Sequence, residues 1–252
     1  MNQKEFVAAL AAKVSTQTFP DYVKESATKI AAKLTKNPEV FISGELGEAK
    51  PKNGQSKVGG KPDVPAGFEW PTEEDDEDAP LQFFAQINLA EVHPHDFEKK
   101  LPAEGMLWFF SIADGDRAGG GEIDASTTKV IYAAKPGTLK AHDIPESLAE
   151  NEDAEIEEHV LELGPCIGLD AFSDAGITEV IDEQVRALGG KNGPLFMLNV
   201  RDDEDGIMLA DFDCYKIAPN AFGEGILGFV LTEKDLKKRA LDQADTLFDG
   251  GT

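Results

Sequence analysis

The sequence predicts an α+β protein, helical at its start and strand-rich after it. Three observations carry that reading. Apolar residues in the first 37 positions recur at helical spacing, the later apolar runs have strand length and strand composition, and one strand pattern occurs twice. With 252 residues the chain buries about 70–75% of its unfolded surface, so it needs no disulfide or metal to fold. It is predicted as a single domain over 1–252, with a helical N-terminal segment 1–37, a first half 38–135 and a second half 136–252.

Phe6, Val7, Leu10 and Val14 form the first helical stripe, and Val23, Ala27, Ile30 and Leu34 a second, separated at Pro20. Lys36-Asn37-Pro38 ends the second helix, because the residue before proline avoids the α conformation. Val40 to Ile42 reads as a short strand. Residues 44–80 read as one long irregular loop, closing on six consecutive acids, Glu73 to Asp78. Phe83 to Leu89, Met106 to Ile112 and Thr128 to Ala133 carry the aromatic and β-branched residues of half-buried strands. Gly115 to Gly121 reads as a hairpin tip or loop, without the Lys-Ser/Thr ending of a phosphate loop. After acidic residues 151–158 a strand is expected at Val160 to Leu163. A helix should follow, with Thr178 as N-cap, Ile181, Val185 and Leu188 on its buried side, and Gly189 as its stop. Leu195 to Val200 and Ile226 to Leu231 are read as strands, Thr232 and Asp235 as a capping pair, and 249–252 as a frayed end.

Charge restricts function more than composition does. Forty-eight acidic against 24 basic residues give a formal net charge of −24. That leaves no basic footprint for nucleic acid or anionic lipid. No apolar run approaches 18 residues, which argues against a helical membrane span. The start of the chain lacks the apolar core of a signal peptide, so a cytoplasmic location is expected. Cys166 and Cys214 are too few and too far apart for a disulfide framework and read as inert thiols.

The repeated pattern pairs Phe84-Ala85-Gln86-Ile87, followed by Glu104-Gly105-Met106-Leu107, with Met197-Leu198-Asn199-Val200, followed by Glu224-Gly225-Ile226-Leu227. Each unit is an apolar strand holding one amide, an acidic connection, Glu-Gly, and a second apolar strand. An amide in an apolar strand needs partners, since an unsatisfied buried polar group costs about 1–3 kcal/mol. Gln86 and Asn199 are thus either paired within the core or aimed into a pocket.

Residues 55–65, Gln-Ser-Lys-Val-Gly-Gly-Lys-Pro-Asp-Val-Pro, with Phe68-Glu69-Trp70-Pro71, Pro80 to Leu89 and Leu101-Pro102-Ala103-Glu104-Gly105, resemble the YwqG-like proteins, a bacterial family of unknown function. The resemblance is specific over about 40–112. It implies an α+β fold with a curved, mainly antiparallel sheet built from two related halves and N-terminal helices packed on it, and no established activity. Where those proteins usually show Leu-Leu-Gln in the second half, this chain has Met197-Leu198-Asn199.

The candidate ligand-binding residues are Lys57, Gly59, Gly60, Gln86, Trp108 and Asn199. Lys57 beside two glycines would offer an ammonium and backbone amides to an anion; alternatively Gly59-Gly60, Pro62, Pro65, Pro71 and Trp70 make a segment that wraps and plugs a sheet edge. His93-Pro94-His95 with Asp96 has the donors for a metal but reads as a turn. Arg201 to Gly206 fails the EF-hand pattern at its first position. No catalytic residue, metal or cofactor is assigned. Two functional classes follow. One is a non-catalytic binding protein whose acidic surface recognises a basic protein, the charge logic of toxin-neutralising proteins. The other is an enzyme or small-ligand protein with a pocket between the two halves. Oligomeric state is left open.

Overall fold

The computed structural model of the chain describes residues 1–17, 29, 32, 34, 40–119, 121–151, 155–168, 175–199, 206–222 and 224–250. Helix α1, Gln3–Ser15, starts on a capping box in which the Asn2 side chain accepts from Glu5 N–H and the Glu5 carboxylate accepts from Asn2 N–H, both at 2.9 Å. Its stripe of Phe6, Val7, Leu10 and Val14 is buried as the spacing requires. That stripe packs with Leu34, Ile167, Ile181 and Val185 in a small cluster of its own. Val23, Ala27, Ile30, Pro20 and the expected helix end at 36–38 lie outside the described residues.

The main body is a ten-stranded antiparallel sheet. Its strands are β1 (Val40–Gly47), β2 (Lys57–Val58), β6 (Gln82–Asn88), β7 (Met106–Ser111), β8 (Thr128–Ala133), β10 (His159–Ile167), β11 (Leu195–Asn199), β12 (Ile207–Asp213), β13 (Gly225–Leu231) and β14 (Asp245–Gly250). Their order is β14-β13-β12-β11-β1-β10-β2-β6-β7-β8. Two two-stranded sheets stand apart, β3 (Asp63–Pro65) with β9 (Leu139–Ala141), and the hairpin of β4 (Thr72–Glu73) with β5 (Asp76–Pro80). The large sheet curves until its two ends meet: the Thr128 and Thr246 hydroxyls, on β8 and β14, hydrogen-bond at 2.5 Å. Phenylalanines fill the inside. Phe84 packs on Phe212 and Phe222, and Phe109 on Phe212 and Phe229, with ring centroids 5.0–5.3 Å apart.

The two flanks repeat one register. Ala85, Gln86, Ile87 and Asn88 pair with Phe109, Trp108, Leu107 and Met106. Ala210, Asp211, Phe212 and Asp213 pair with Phe229, Gly228, Leu227 and Ile226. Both ladders carry the same irregularity, at Phe83/Ala85 and at Met208/Ala210. One extra residue there turns Phe84 inward beside Ala85 without disturbing the rest of the strand. Each inner strand then runs into a one-turn helix, α2 (Leu89–Val92) capped by Asn88 and α6 (Cys214–Ile217) capped by Asp213.

This register corrects the repeat read from sequence. The strand of Met197 to Asn199 has neighbours β1 and β12, whereas the strand of Phe84 to Ile87 has β2 and β7. By register Gln86 matches Asp211, and β11 takes the place of β2: Lys57 pairs with Gln86 as Phe196 pairs with Asp211.

Other expectations shift as well. Residues 44–80 are not one loop, because β1 runs on to Gly47 and four short strands follow: β2 and β3 take their ladders from distant strands, and β4 and β5 pair with each other. Gly115–Gly119 forms a short helix, α3, whose first turn is held by the Asp114 carboxylate accepting from Asp116 and Arg117 N–H. The strand at 160–163 extends over His159–Ile167 because β1 pairs along its whole length. A four-residue helix, α4 (Glu146–Ala149), precedes it. Helix α5, Ala175–Arg186, holds Thr178 within it and not at an N-cap; Ile181 and Val185 are buried, and Gly189 has φ +80°. Pro219–Phe222 forms α7. Thr232 caps α8, Glu233–Lys238, as the Thr-Asp pair suggests. Asp249 and Gly250 are not frayed; they pair with Ile226 and Gly225.

Candidate functional site

Three of the six candidate residues, Lys57, Gln86 and Trp108, meet at one residue outside that set, Asp63 on β3. Gln86 is wholly buried, and its position in β6 turns it away from the phenylalanine interior. Its Oε1 accepts from Asp63 N–H at 2.8 Å, and its Nε2 donates to Gln55 O at 2.8 Å and Asp63 Oδ2 at 2.9 Å. Trp108, opposite Gln86 on β7, donates its indole N–H to Asp63 O at 2.9 Å. Gly54 N–H donates to Asp63 Oδ2 at 2.9 Å. Lys57, only 4% exposed, places Nζ 2.8 Å from Glu158 Oε1 and 3.7 Å from Asp63 Oδ2. Ser56 extends the network: its N–H donates to Glu91 and its hydroxyl accepts from Asn88 N–H, both at 2.9 Å. Gln86 thus has its hydrogen-bonding capacity spent inside the network, as a buried amide requires.

The two glycines sit beside this network for reasons of space. Gly59 (φ +61°) donates N–H to Phe84 O at 2.9 Å, and Gly60 (φ +64°) to Ile156 O at 3.0 Å. A Cβ on Gly59 would stand 2.3 Å from Ile156 O, so only glycine lets segment 155–158 cross there. Both amides are committed to backbone carbonyls. Asn199, on β11, pairs with Met208 on β12; three strands stand between it and the strand of Gln86, and its side chain lies outside those described.

The network fastens a segment, 59–81, over the outer face of β6 and β7. Phe68 stacks on Phe110 at 6.1 Å, and Trp70 meets the same ring edge-on at 5.5 Å while donating its indole N–H to Leu81 O at 2.8 Å. The segment therefore covers a face rather than an edge. Its far end is the β4–β5 hairpin holding the six acids. Glu73 is bound by both guanidinium nitrogens of Arg117 at 2.7 and 2.8 Å, and Glu74 N–H donates to Ser126 O at 2.9 Å. Glu74, Asp75, Asp76, Glu77 and Asp78 are exposed, and none forms an ion pair among the described residues.

The Arg117 hydrogen bonds hold Glu73 below its ordinary value near 4.5. A depressed carboxylate stabilises the fold above its unfolded value and loses that contribution as pH falls through the folded one. Arg117→Gln should therefore lower stability at pH 7 and have a shrinking effect below about pH 4.5, as pH-dependent urea unfolding would show. An effect constant from pH 7 to 3 would contradict the assignment.

The other acidic and metal-like motifs are partly spent. Of residues 150–158, Glu158 is taken by Lys57 and Glu157 stands 3.4 Å from His159; residues 202–205 lie outside those described. Burial, with Lys99 nearby, holds His95 below the usual imidazole range. Among the described residues no three His, Cys, Asp or Glu side chains gather as a metal site. Burial pushes both thiols, Cys166 and Cys214, up to about 12. Neither should react with a thiol reagent at pH 8 until denaturant is added; rapid native-state labelling of either would refute this.

No helix among the described residues is long and apolar enough to cross a membrane. In class, the molecule is an α+β protein on one curved, almost closed antiparallel sheet, with a polar network locking an acidic hairpin to its outer face. The chain belongs to the family described as a domain of unknown function (DUF1963), which matches residues 56–249, from Ser56 of the network to Asp249 of the last strand. No curated protein matches it.

Proposed function

We propose that this chain is a non-catalytic binding protein whose acidic surface meets a basic protein partner. The observation that carries the reading is the β4–β5 hairpin, where five exposed carboxylates in a row, 74–78, form no ion pair among the described residues and stand in solvent on a scaffold held by Glu73–Arg117 and the Asp63 network. Acids serving only solubility need no such mounting. Fixed carboxylates steer a cationic partner to one place and raise its encounter rate. Against a pocket between the halves stands the packing there of Phe84, Phe109, Phe212 and Phe229, which are wholly buried. The net charge of −24 supports a protein partner over nucleic acid or membrane.

The reading has narrower parts. We place the protein in the cytoplasm and among the YwqG-like proteins on the motif at 55–71, and take neutralisation of a basic toxin as its most specific form. We also take the matched registers of the two flanks as the trace of a duplicated five-strand unit.

With a partner captured at low salt, converting 74–78 to their amides, Glu74→Gln, Asp75→Asn, Asp76→Asn, Glu77→Gln and Asp78→Asn, should slow association by about tenfold or more while unfolding is unchanged. The wild-type rate should fall between 0.1 and 1 M salt, as the Debye length shrinks from about 10 to about 3 Å. Equal rates for both proteins, flat with salt, would leave the acids as a solubility device.

A further inference from the structure

A groove of about 350 Å3 opens where β7 begins and the chain leaves β8 toward β9, far in sequence from the acidic hairpin. Its lining is half apolar and half polar: Leu139 packs against the core beside Pro136, and Met106 lies beneath them, buried. Gly105, at φ +129°, lets the walls close, since a Cβ there would stand 3.0 Å from Ala133 O. Two opposite charges line it, Glu104 on the chain entering β7 and Lys135 on the chain leaving β8. Both side chains are exposed, and neither forms an ion pair or hydrogen bond among the described residues, with each other or with a third group. A ligand with a single charge would satisfy one of them and leave the other; a dipolar ligand would answer both.

We propose that this groove binds a small dipolar molecule, a free α-amino acid with an aliphatic side chain. Glu104 receives the ammonium group, Lys135 the carboxylate, and the aliphatic chain lies on Met106, Pro136 and Leu139. The volume is at the small end of the range for ligand sites, which suits a molecule of this size. With two exposed ion pairs and a modest apolar contact, Kd should be on the order of 1 mM.

The test is a titration of the full chain with L-leucine, followed by amide chemical shifts. Saturable shifts are expected around 104–106 and 133–139. Leucinamide and N-acetyl-leucine, each lacking one charge, should bind about two- to fivefold more weakly, as should leucine to Glu104→Gln and to Lys135→Gln, the range that one exposed ion pair supplies. Both substituted side chains are exposed, so circular dichroism and urea unfolding should match the wild type, and the hairpin's association with its partner should be unaffected. No saturable shift with leucine overturns the proposal. So does binding that survives both substitutions, or that is equally strong for either blocked analogue, since one charge alone would then suffice.

Discussion

Phe212→Ala should destabilise the protein by about 3–5 kcal/mol, the range for removing a large aromatic side chain from a packed core. Phe212 has no exposed surface, and its ring lies 5.0 Å from Phe84, 5.2 Å from Phe109 and 6.3 Å from Phe229. These neighbours come from both flanks of the curved sheet, so the void left behind cannot be filled by adjusting one strand. Phe248, only partly buried against the same core, provides the comparison, and its truncation should cost clearly less. Urea unfolding of both variants decides the matter. A loss below about 1 kcal/mol for Phe212→Ala would mean that the flanks are stabilised independently of the rings between them.

Asp63→Ala should be nearly as damaging, at about 3–5 kcal/mol, for a different reason. The substitution removes no large volume, but it takes the acceptor from Gly54 N–H and from Gln86 Nε2, and one of two carboxylates from the buried Lys57 ammonium. Lys57 keeps Glu158 at 2.8 Å, so the cost falls on the donors left without an acceptor and on a buried ammonium that retains only one of its two counter-charges. Segment 59–81 should loosen with it, and the Trp108 indole N–H, now bonded to Asp63 O, should exchange faster with solvent. Asp63→Asn keeps an acceptor and should cost less. If Asp63→Ala unfolds like wild type, the network is not structural, and Lys57, Gln86 and Trp108 return as ligand contacts.

Much of this architecture is legible locally. The stripe Phe6, Val7, Leu10, Val14 predicts α1, and Phe83, Ile87, Leu107, Phe109, Leu198, Leu227 and Phe229, all in runs read as strands, are buried. Gln86 draws notice as an amide in an apolar run, and it is fully hydrogen-bonded. What escapes notice depends on distant chain. Lys57-Val58, Asp63-Val64-Pro65 and Asp245 to Gly250 lack strand composition and become strands because a neighbour supplies the ladder. Asp63 itself looks like one more acid among 48; only the fold brings Gln86 and Trp108 onto it. The repeat is misread because Asp211 is a carboxylate where Gln86 is an amide, so the neighbouring strand, with its Asn199, appears the better match.

The hydroxyl contact between Thr128 and Thr246 is where the two ends of the large sheet meet, and it is made by side chains, not by a backbone ladder. The turn Leu241–Gln243, just before β14, packs against β8, so it is the outer edge of β14 that keeps main-chain donors and acceptors for another copy of the chain to pair with. Charge guards that seam. β14 carries exposed Asp245 and Asp249 toward its two ends, and β8 carries exposed Lys129. A second molecule approaching β14 edge-on with its own β14 would bring carboxylates against carboxylates, on top of the repulsion between bodies that each bear −24. At the one place where the sheet is unzipped, the excess of acid that elsewhere faces solvent works against edge-to-edge pairing.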